Sequence, residues 1–238
     1  MKTDFNSFIL SVPSWVIPGT YAENLCFLET QQEIQGVELL FFIYNDEVKA
    51  QLDSEWDEIR NYSERFVFTA HLPELLLAVH SELVARLAPL VKHFIVHPDP
   101  KDPSAQVRLL EEWTKKHNAV FLIENTNPGL LEAQLPYMKT DTGLCMDTGH
   151  LLLDGQNPTD FFAANRERVR EIHLHAVDRE QAAIDGRLAD HRRLRRDELW
   201  LLELLPLLND YREIINLEVF SWEEAKAGVE ILRHGCCF

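Results

Sequence analysis

Hydrophobic residues along the chain fall into eight short runs, separated by longer stretches with helical periodicity. The runs are continuously apolar rather than alternating, which is typical of parallel strands covered on both faces. The eight predicted strands span residues 8–12, 37–43, 66–71, 93–97, 119–124, 143–147, 171–175 and 214–218. Strand and helix are therefore expected to alternate along the chain.

The intervening stretches carry apolar residues at positions i, i+3 and i+4, the pattern of an amphipathic helix that packs on a sheet. The clearest predicted helices span residues 75–91, 103–117, 198–208 and 221–235. In the last of them, Ser221 is a candidate N-cap and Gly235 a candidate C-cap.

Eight strand–helix units in 238 residues predict a closed (β/α)8 barrel, since this fold typically takes about 250 residues. The alternative is an open doubly wound sheet, which normally has a glycine-rich phosphate loop after its first strand. The segment SWVIPGTYAENL contains neither GxGxxG nor GxxxxGK[ST]. We therefore expect a single α/β TIM-barrel domain over residues 1–238. Its longest connection, residues 176–196, precedes the eighth strand, and connections of that length are often functional.

Charge narrows the choice of partners. The chain has 23 Lys and Arg against 39 Asp and Glu, a formal net charge of −16. Such an excess of acid disfavours nucleic acids and anionic membrane surfaces, and no apolar run approaches the roughly 20 residues of a membrane helix. The four cysteines form no CxxC motif. We expect a cytoplasmic protein with a small-molecule substrate; the oligomeric state is not predicted.

Ionisable side chains stand at the ends of six predicted strands: His71, His97, Glu124, Asp147, His173 and Glu218. Successive members are separated by about one strand–helix unit, roughly 25 residues, except where the long connection intervenes. They therefore occupy equivalent positions, and in a barrel the carboxyl ends of all strands open into one mouth where active sites are built.

His150, His175 and His191 are placed near the same mouth. Any single histidine could be an ordinary core residue, but buried carboxylates are costly unless they are paired or bind a cation. A ring of imidazoles and carboxylates without thiolates suits Zn²⁺, Mn²⁺ or Fe. The ligands exceed what one ion can use, so two or three ions are expected, as in clusters that hydrolyse phosphoesters.

The motifs FTAHLP, FIVHPD, FLIENT, MDTGH, EIHLH, ADHRRL and NLEVF together resemble the xylose isomerase-like barrel superfamily, which includes sugar isomerases, epimerases and endonuclease IV. For the isomerases, the resemblance implies one metal ion held by Glu124, Asp147, His173 and Glu218, with the two glutamates transferring protons. For the trinuclear phosphodiesterases it implies four further ligands, all present here: His71, His97, His150 and His191. Those enzymes place an aspartate two residues before the loop histidine, where this chain has Ala189, with Asp190 next to His191.

The strings SWVIP, GVELLFF and HLP are similar to the cobamide-remodelling phosphodiesterases, which hydrolyse the phosphoester between the corrin ring and its nucleotide loop. The first functional expectation is therefore a metal-dependent phosphodiesterase with Glu124 and Glu218 as catalytic residues. The alternative is a metal-dependent sugar or sugar-phosphate isomerase or epimerase. A barrel retained only as a binding module would show broken ligand sets, and this set is nearly complete.

Substrate contacts are expected from four residues near the mouth: Glu38, His175, Trp15 and Arg192. Phe41, Phe42 and Trp222 are further candidates to line a pocket for a bulky ligand.

Overall fold

The computed structural model describes residues 8–139, 142–178 and 190–235. Its eight strands are all parallel and close into a barrel in chain order, with β8 paired to β1. The strands are β1 Ile9–Pro13, β2 Gly36–Leu40, β3 Val67–His71, β4 Val91–Val96, β5 Phe121–Glu124, β6 Gly143–Asp147, β7 Val169–His173 and β8 Ile214–Asn216. The predicted (β/α)8 barrel is confirmed, and each predicted strand overlaps an observed one.

Nine α-helices surround the barrel in the described part of the chain: α1 Tyr21–Glu29, α2 Asp46–Asn61, α3 Ser81–Leu87, α4 Pro103–His117, α5 Pro128–Gln134, α6 Thr148–Leu153, α7 Pro158–Asn165, α8 Leu199–Leu208 and α9 Trp222–Gly235. Short 3-10 helices span Tyr62–Glu64, Ala78–His80 and Leu135–Tyr137. Within these ranges, no helix combines the length and the apolar character needed to cross a membrane.

The helix predicted over residues 75–91 is wrong in its extent. The observed α3 covers only Ser81–Leu87, and Val91 already begins β4. Pro89 helps to explain the early end, because a proline has no backbone N–H to continue the helix; Ala88 before it is still helical and donates to the carbonyl of Val84. At the other end, Leu75 and Leu77 of the predicted helix lie in the preceding loop and are 50% exposed, and Ala78–His80 form a 3-10 helix.

The inner face of the barrel follows from strand register. Side chains alternate between the two faces of a strand, so paired residues such as Glu38 and Thr69, or Asp147 and His173, point to the same side. Only a small apolar cluster, Ile95, Leu122 and Cys145, is separate from the main core. Most other inward positions carry polar or ionisable groups: Ser11, Glu38, Thr69, His71, His93, Glu124, Asp147, Glu171, His173 and Asn216. The interior is therefore unusually polar for a fold whose barrel is generally filled by branched aliphatic residues.

Candidate metal centre

Closure of the barrel in chain order brings the predicted ligands to one rim. His71, Glu124, Asp147 and His173 are the last residues of β3, β5, β6 and β7. His97 and Glu218 follow β4 and β8, His150 lies in α6, and His191 lies in the described end of the long connection. With His175, all of them except His150 belong to overlapping groups in which the ligand atoms lie within 4.8 Å of one another.

The first group consists of His71, His97 and Glu124. The Nε2 atoms of the two histidines lie 3.1 and 3.0 Å from the same carboxylate oxygen, Glu124 Oε2. His71 Nδ1 is 2.9 Å from the carbonyl of Leu72. If Nδ1–H donates to that carbonyl, the lone pair of Nε2 is left for a cation, which is the arrangement typical of metal-binding histidines.

The second group consists of Glu124, Asp147, His173 and Glu218, all buried. His173 Nδ1 lies 3.2 Å from Glu124 Oε1 and 3.1 Å from Glu218 Oε2, and Asp147 Oδ2 is 3.9 Å away. Glu124 therefore contributes one oxygen to each of the first two groups. His175, His191 and Glu218 make up a third group. Glu218 therefore belongs to two groups, but unlike Glu124 it faces both with the same oxygen, Oε2.

The MDTGH segment is fixed by its own hydrogen bonds. Asp147 Oδ1 caps α6 by accepting from the backbone N–H of His150 at 2.7 Å. The side chain of Asn125 bonds both the N–H and the carbonyl of Asp147. The hydroxyl of Thr148 donates to the carbonyl of His175 at 2.7 Å and accepts from its N–H. The ends of β5, β6 and β7 are thereby held in one fixed arrangement.

Charge in this buried cluster is balanced between acids and imidazoles. Burial alone would raise the pKa of Glu124 and Asp147, but the neighbouring histidines hold both below their usual range. Burial would likewise lower the pKa of His71 and His175, yet their bonds to Glu124 and Asp147 and the nearby carboxylates raise the pKa to about 9 and about 10. In the absence of a cation, protonated imidazoles therefore balance the negative charge of these carboxylates, and a bound cation would take over that role.

The donor set fits divalent cations. It combines imidazole nitrogens with carboxylate oxygens and contains no thiolate, as expected for Zn²⁺, Mn²⁺ or Fe. In addition, Glu218 Oε2 is buried and accepts no hydrogen bond from the described residues. Imidazole nitrogens of His173, His175 and His191 lie 3.1, 3.6 and 3.7 Å from it. Positive charge that faces a buried carboxylate oxygen offsets the cost of its burial, and a cation held by these imidazoles would do so as well.

A second polar layer lies beneath the rim. Glu38 is fully buried, its Oε1 lies 3.3 Å from His173 Nε2, and its other oxygen accepts from the amide of Asn216. Burial raises the pKa of Glu38 to about 7, against the opposing influence of His173. Beside it, Glu171 pairs with His93 and accepts from the hydroxyl of Thr69. This burial argues against the expected contact of Glu38 with substrate and favours support of His173 from behind.

The other residues expected to contact the substrate differ in exposure and in packing. Trp15 is 58% exposed, and Arg192 is also exposed. Phe42 contacts His71 edge-on, with ring centroids 4.5 Å apart. Phe41 is wrong as a mouth residue because it is fully buried in the core, and Trp222 packs against Phe27 of α1.

Four residues of the polar cluster were not predicted from the sequence: Glu171, Asn216, Asp190 and His93. Glu171 and Asn216 each precede a predicted ligand by two residues, and His93 precedes one by four. Side chains on the same face of a strand recur at this spacing, so strand parity would have identified all three as inward-facing. Asp190 lies in a loop, where no such periodicity operates.

Comparison with solved structures supports the fold assignment. Endonuclease IV from Thermus thermophilus aligns with a TM-score of 0.64 and 18% identity over 95% of this chain and 98% of that chain. An L-ribulose 3-epimerase aligns with a TM-score of 0.63 and 12% identity over 95% of this chain and 91% of that chain. A sugar phosphate isomerase/epimerase from Parabacteroides distasonis ATCC 8503 aligns with a TM-score of 0.60 and 11% identity over 98% of this chain and 97% of that chain. No protein-family model and no curated protein matches the chain.

These neighbours share the closed parallel barrel of this chain, the fold that the resemblance implies. Their titles name enzymes, and the described residues of this chain contain groups of side chains that could hold a metal ion. Their names back the isomerase or epimerase alternative better than the phosphodiesterase, and none of them supports cobamide remodelling. At these identities the likeness fixes the fold alone, so the reaction must be argued from this chain's own side chains.

We expect the stability of the metal-free protein to fall as pH rises from 7 to 9.5. Histidines with a raised pKa stabilise the fold fully below their unfolded value of about 6.5, and lose that contribution as pH passes through their folded values. The carboxylates with a lowered pKa already contribute fully above about pH 5. Urea unfolding in the presence of a chelator should show a loss of roughly 1 to 3 kcal/mol in this window.

The variant His71→Gln is the matched control, because subtracting its profile cancels the titration of surface groups. Its stability should depend less steeply on pH than that of the wild type. Parallel profiles for the two proteins would contradict the assignment of His71 as a protonated partner of Glu124.

Replacement of Glu38 by leucine should lower the affinity for the cation bound by His173 by about 10- to 100-fold, as is typical when a carboxylate that orients a ligand histidine is lost. Chelator competition measures this affinity. Glu112→Leu is the control, since Glu112 is an exposed glutamate on α4. Wild-type affinity in the leucine variant would show that Glu38 does not support the centre.

Proposed function

We propose that the protein is a divalent-metal-dependent phosphodiesterase that acts on a small molecule. The observation that carries this proposal is the position of Glu124, whose Oε2 faces His71 and His97 while its Oε1 faces His173. One carboxylate thus joins two complete groups of ligands. Adjacent cations bridged in this way are typical of enzymes that stabilise both the attacking and the leaving oxygen at phosphorus.

His71, His97 and Glu124 would hold one cation, and Glu124, Asp147, His173 and Glu218 a second. When bound, such cations supply Lewis-acid catalysis: they make water more acidic and neutralise charge on phosphoryl oxygens.

The remaining task of the chain is to orient the substrate. The buried ligands form the floor of the centre, while the side chains of His97, His150 and His191 are 22, 25 and 28% exposed. The phosphoryl group would therefore approach from the side of these three imidazoles. Among the described residues, His150 belongs to none of the ligand groups, which leaves its ring available to contact the substrate.

The rim of the mouth suits a substrate with a bulky apolar part. Phe220 is 40% exposed and lies between Trp15 and His191, with ring centroids 6.5 and 4.8 Å away. Arg192 and Arg193 line a cleft with Trp200, to which Asp178, Asp197 and Glu198 also contribute. Exposed aromatic rings together with guanidinium groups would suit a phosphodiester attached to a large ring system. A cobamide nucleotide loop is the specific candidate that the sequence resemblance suggests.

The second candidate function is that of a sugar or sugar-phosphate isomerase or epimerase. It is favoured by the named activities of the structural neighbours. It needs only the four-ligand group with one cation. Glu124 and Glu218, both within 3.2 Å of His173 Nδ1, would then be the general acid and base.

Cation content separates the two functions. Elemental analysis of purified protein, paired with assays on a generic phosphodiester, a cobamide and a panel of ketoses, should give two or three ions per chain and phosphodiester hydrolysis. One ion per chain together with ketose conversion would contradict the phosphodiesterase proposal and support the isomerase.

Glu124→Gln should reduce phosphodiester turnover by at least about 100-fold, because a neutral amide presents only one acceptor oxygen and cannot bridge two cations. Steady-state hydrolysis of a chromogenic phosphodiester measures the loss. Glu132→Gln is the matched control, since Glu132 is an exposed glutamate on α5, the helix after β5. A Glu124→Gln enzyme with wild-type turnover and unchanged metal content would reject the proposed role.

A further inference from the structure

We propose that His175 is a metal ligand that replaces His150 in a third cation site with His191 and Glu218, and that Asp190 orients it. This inference rests on the proposed function insofar as the mouth must bind cations. It differs from the sequence prediction, in which His150 is among the implied metal ligands and His175 is assigned to the substrate.

The position of His175 fits a ligand rather than a substrate contact. Its side chain is fully buried, and its Nε2 lies 3.0 Å from Asp147 Oδ2 and 3.6 Å from Glu218 Oε2. Its ring centroid is 4.6 Å from that of His191. A substrate cannot reach a ring with no exposed surface, whereas a cation between these donors can.

Asp190 faces the other nitrogen of the same ring. His175 Nδ1 lies 3.3 Å from Asp190 Oδ1 and also 3.3 Å from the carbonyl of Ala176, its hydrogen-bond partner. An Nδ1–H directed at these two oxygens leaves the Nε2 lone pair for a cation, and the Asp190 carboxylate lies behind the ring. A carboxylate behind a ligand histidine is a recurrent feature of metal sites. It fixes the tautomer of the ring and its orientation.

The local backbone explains how neighbouring residues reach the same cluster. His191 has a φ of 52°, a left-handed conformation that is uncommon outside glycine. Its N–H donates to Asp190 Oδ1 at 3.0 Å. Its Nδ1 is 3.2 Å from the backbone carbonyl of Glu218, its hydrogen-bond partner, and 3.7 Å from Glu218 Oε2. The backbone at His191 therefore allows Asp190 to reach His175, although Asp190 directly precedes the loop histidine. Ala189, the position of the aspartate in endonuclease IV-type enzymes, lies outside the described residues.

Gly149 provides the space for this pair. A Cβ at position 149 would lie 2.0 Å from His175 Cε1 and 2.4 Å from Asp190 Oδ1. Both distances are too short for any side chain, so His175 and Asp190 can approach α6 only because residue 149 is glycine.

Two observations favour His175 over His150 as the ligand. Glu218 Oε2, which is buried without a hydrogen bond from the described residues, lies 3.1 Å from His173 Nδ1 and also faces His175 and His191 at 3.6 and 3.7 Å. His150 Nδ1 is 3.8 Å from Asp190 Oδ2, and within the described ranges His150 joins no group of three ligands. The third site therefore centres on β7 and β8 rather than on α6.

The test is a Co²⁺ titration of metal-free protein, followed by visible absorption and by elemental analysis after dialysis. Wild-type protein should take up three equivalents. His175→Gln should take up one fewer, while the matched variant His150→Gln should retain all three. Loss of an equivalent in His150→Gln with full uptake by His175→Gln would overturn the inference.

Two further variants cover the case in which His175→Gln fails to fold. Asp190→Asn should weaken binding of the third equivalent by about 10- to 100-fold, and Gly149→Ala should abolish it, with the first two equivalents unchanged in both. Wild-type protein that binds only two equivalents would reject the third site and leave the phosphodiesterase proposal standing. Protein that binds none would reject both.

Discussion

The structure depends on how a barrel interior tolerates several carboxylates out of water. Glu124, Asp147 and Glu218 are at most 2% exposed, and an isolated charge in such a place is strongly destabilising. Each of them lies within 3.2 Å of an imidazole nitrogen, so positive charge is available as protons or, once these are displaced, as cations. This balance links fold and chemistry, because the groups that stabilise the carboxylates are also the groups that bind metal.

The barrel imposes the arrangement through simple geometry. Parallel strands closed in chain order present their carboxyl ends at one rim, and strand parity sends residues such as Glu171 and His173 to the same inner face. Hydrogen bonds from Asn125 and Thr148 then tie neighbouring strand ends together. The polar layer around Glu38 continues below the rim, so the residues that support the ligands from beneath are polar rather than aliphatic.

Much of this could be predicted from the sequence, because it depends on local rules. Continuous apolar runs specify parallel strands, and the near-constant length of a strand–helix unit places His71, His97 and Glu124 at equivalent positions. The rest depends on contacts between distant segments. The paired burial of Glu38 and Asn216, the approach of Asp190 to His175 and the space left by Gly149 join residues that no periodicity relates. The extent of α3 was mispredicted for another reason: apolar periodicity continues through residues 75–80, which form a loop and a 3-10 helix, and past Pro89, which has no N–H to continue the helix.

The central claim is that Glu124 joins two cation positions. Anomalous X-ray diffraction from crystals of Zn²⁺-loaded protein tests it most directly. The account predicts one anomalous peak bounded by His71, His97 and one oxygen of Glu124, and a second bounded by the other oxygen of Glu124, Asp147, His173 and Glu218. A single peak within the four-ligand group, with His71 and His97 still paired to Glu124, would contradict it.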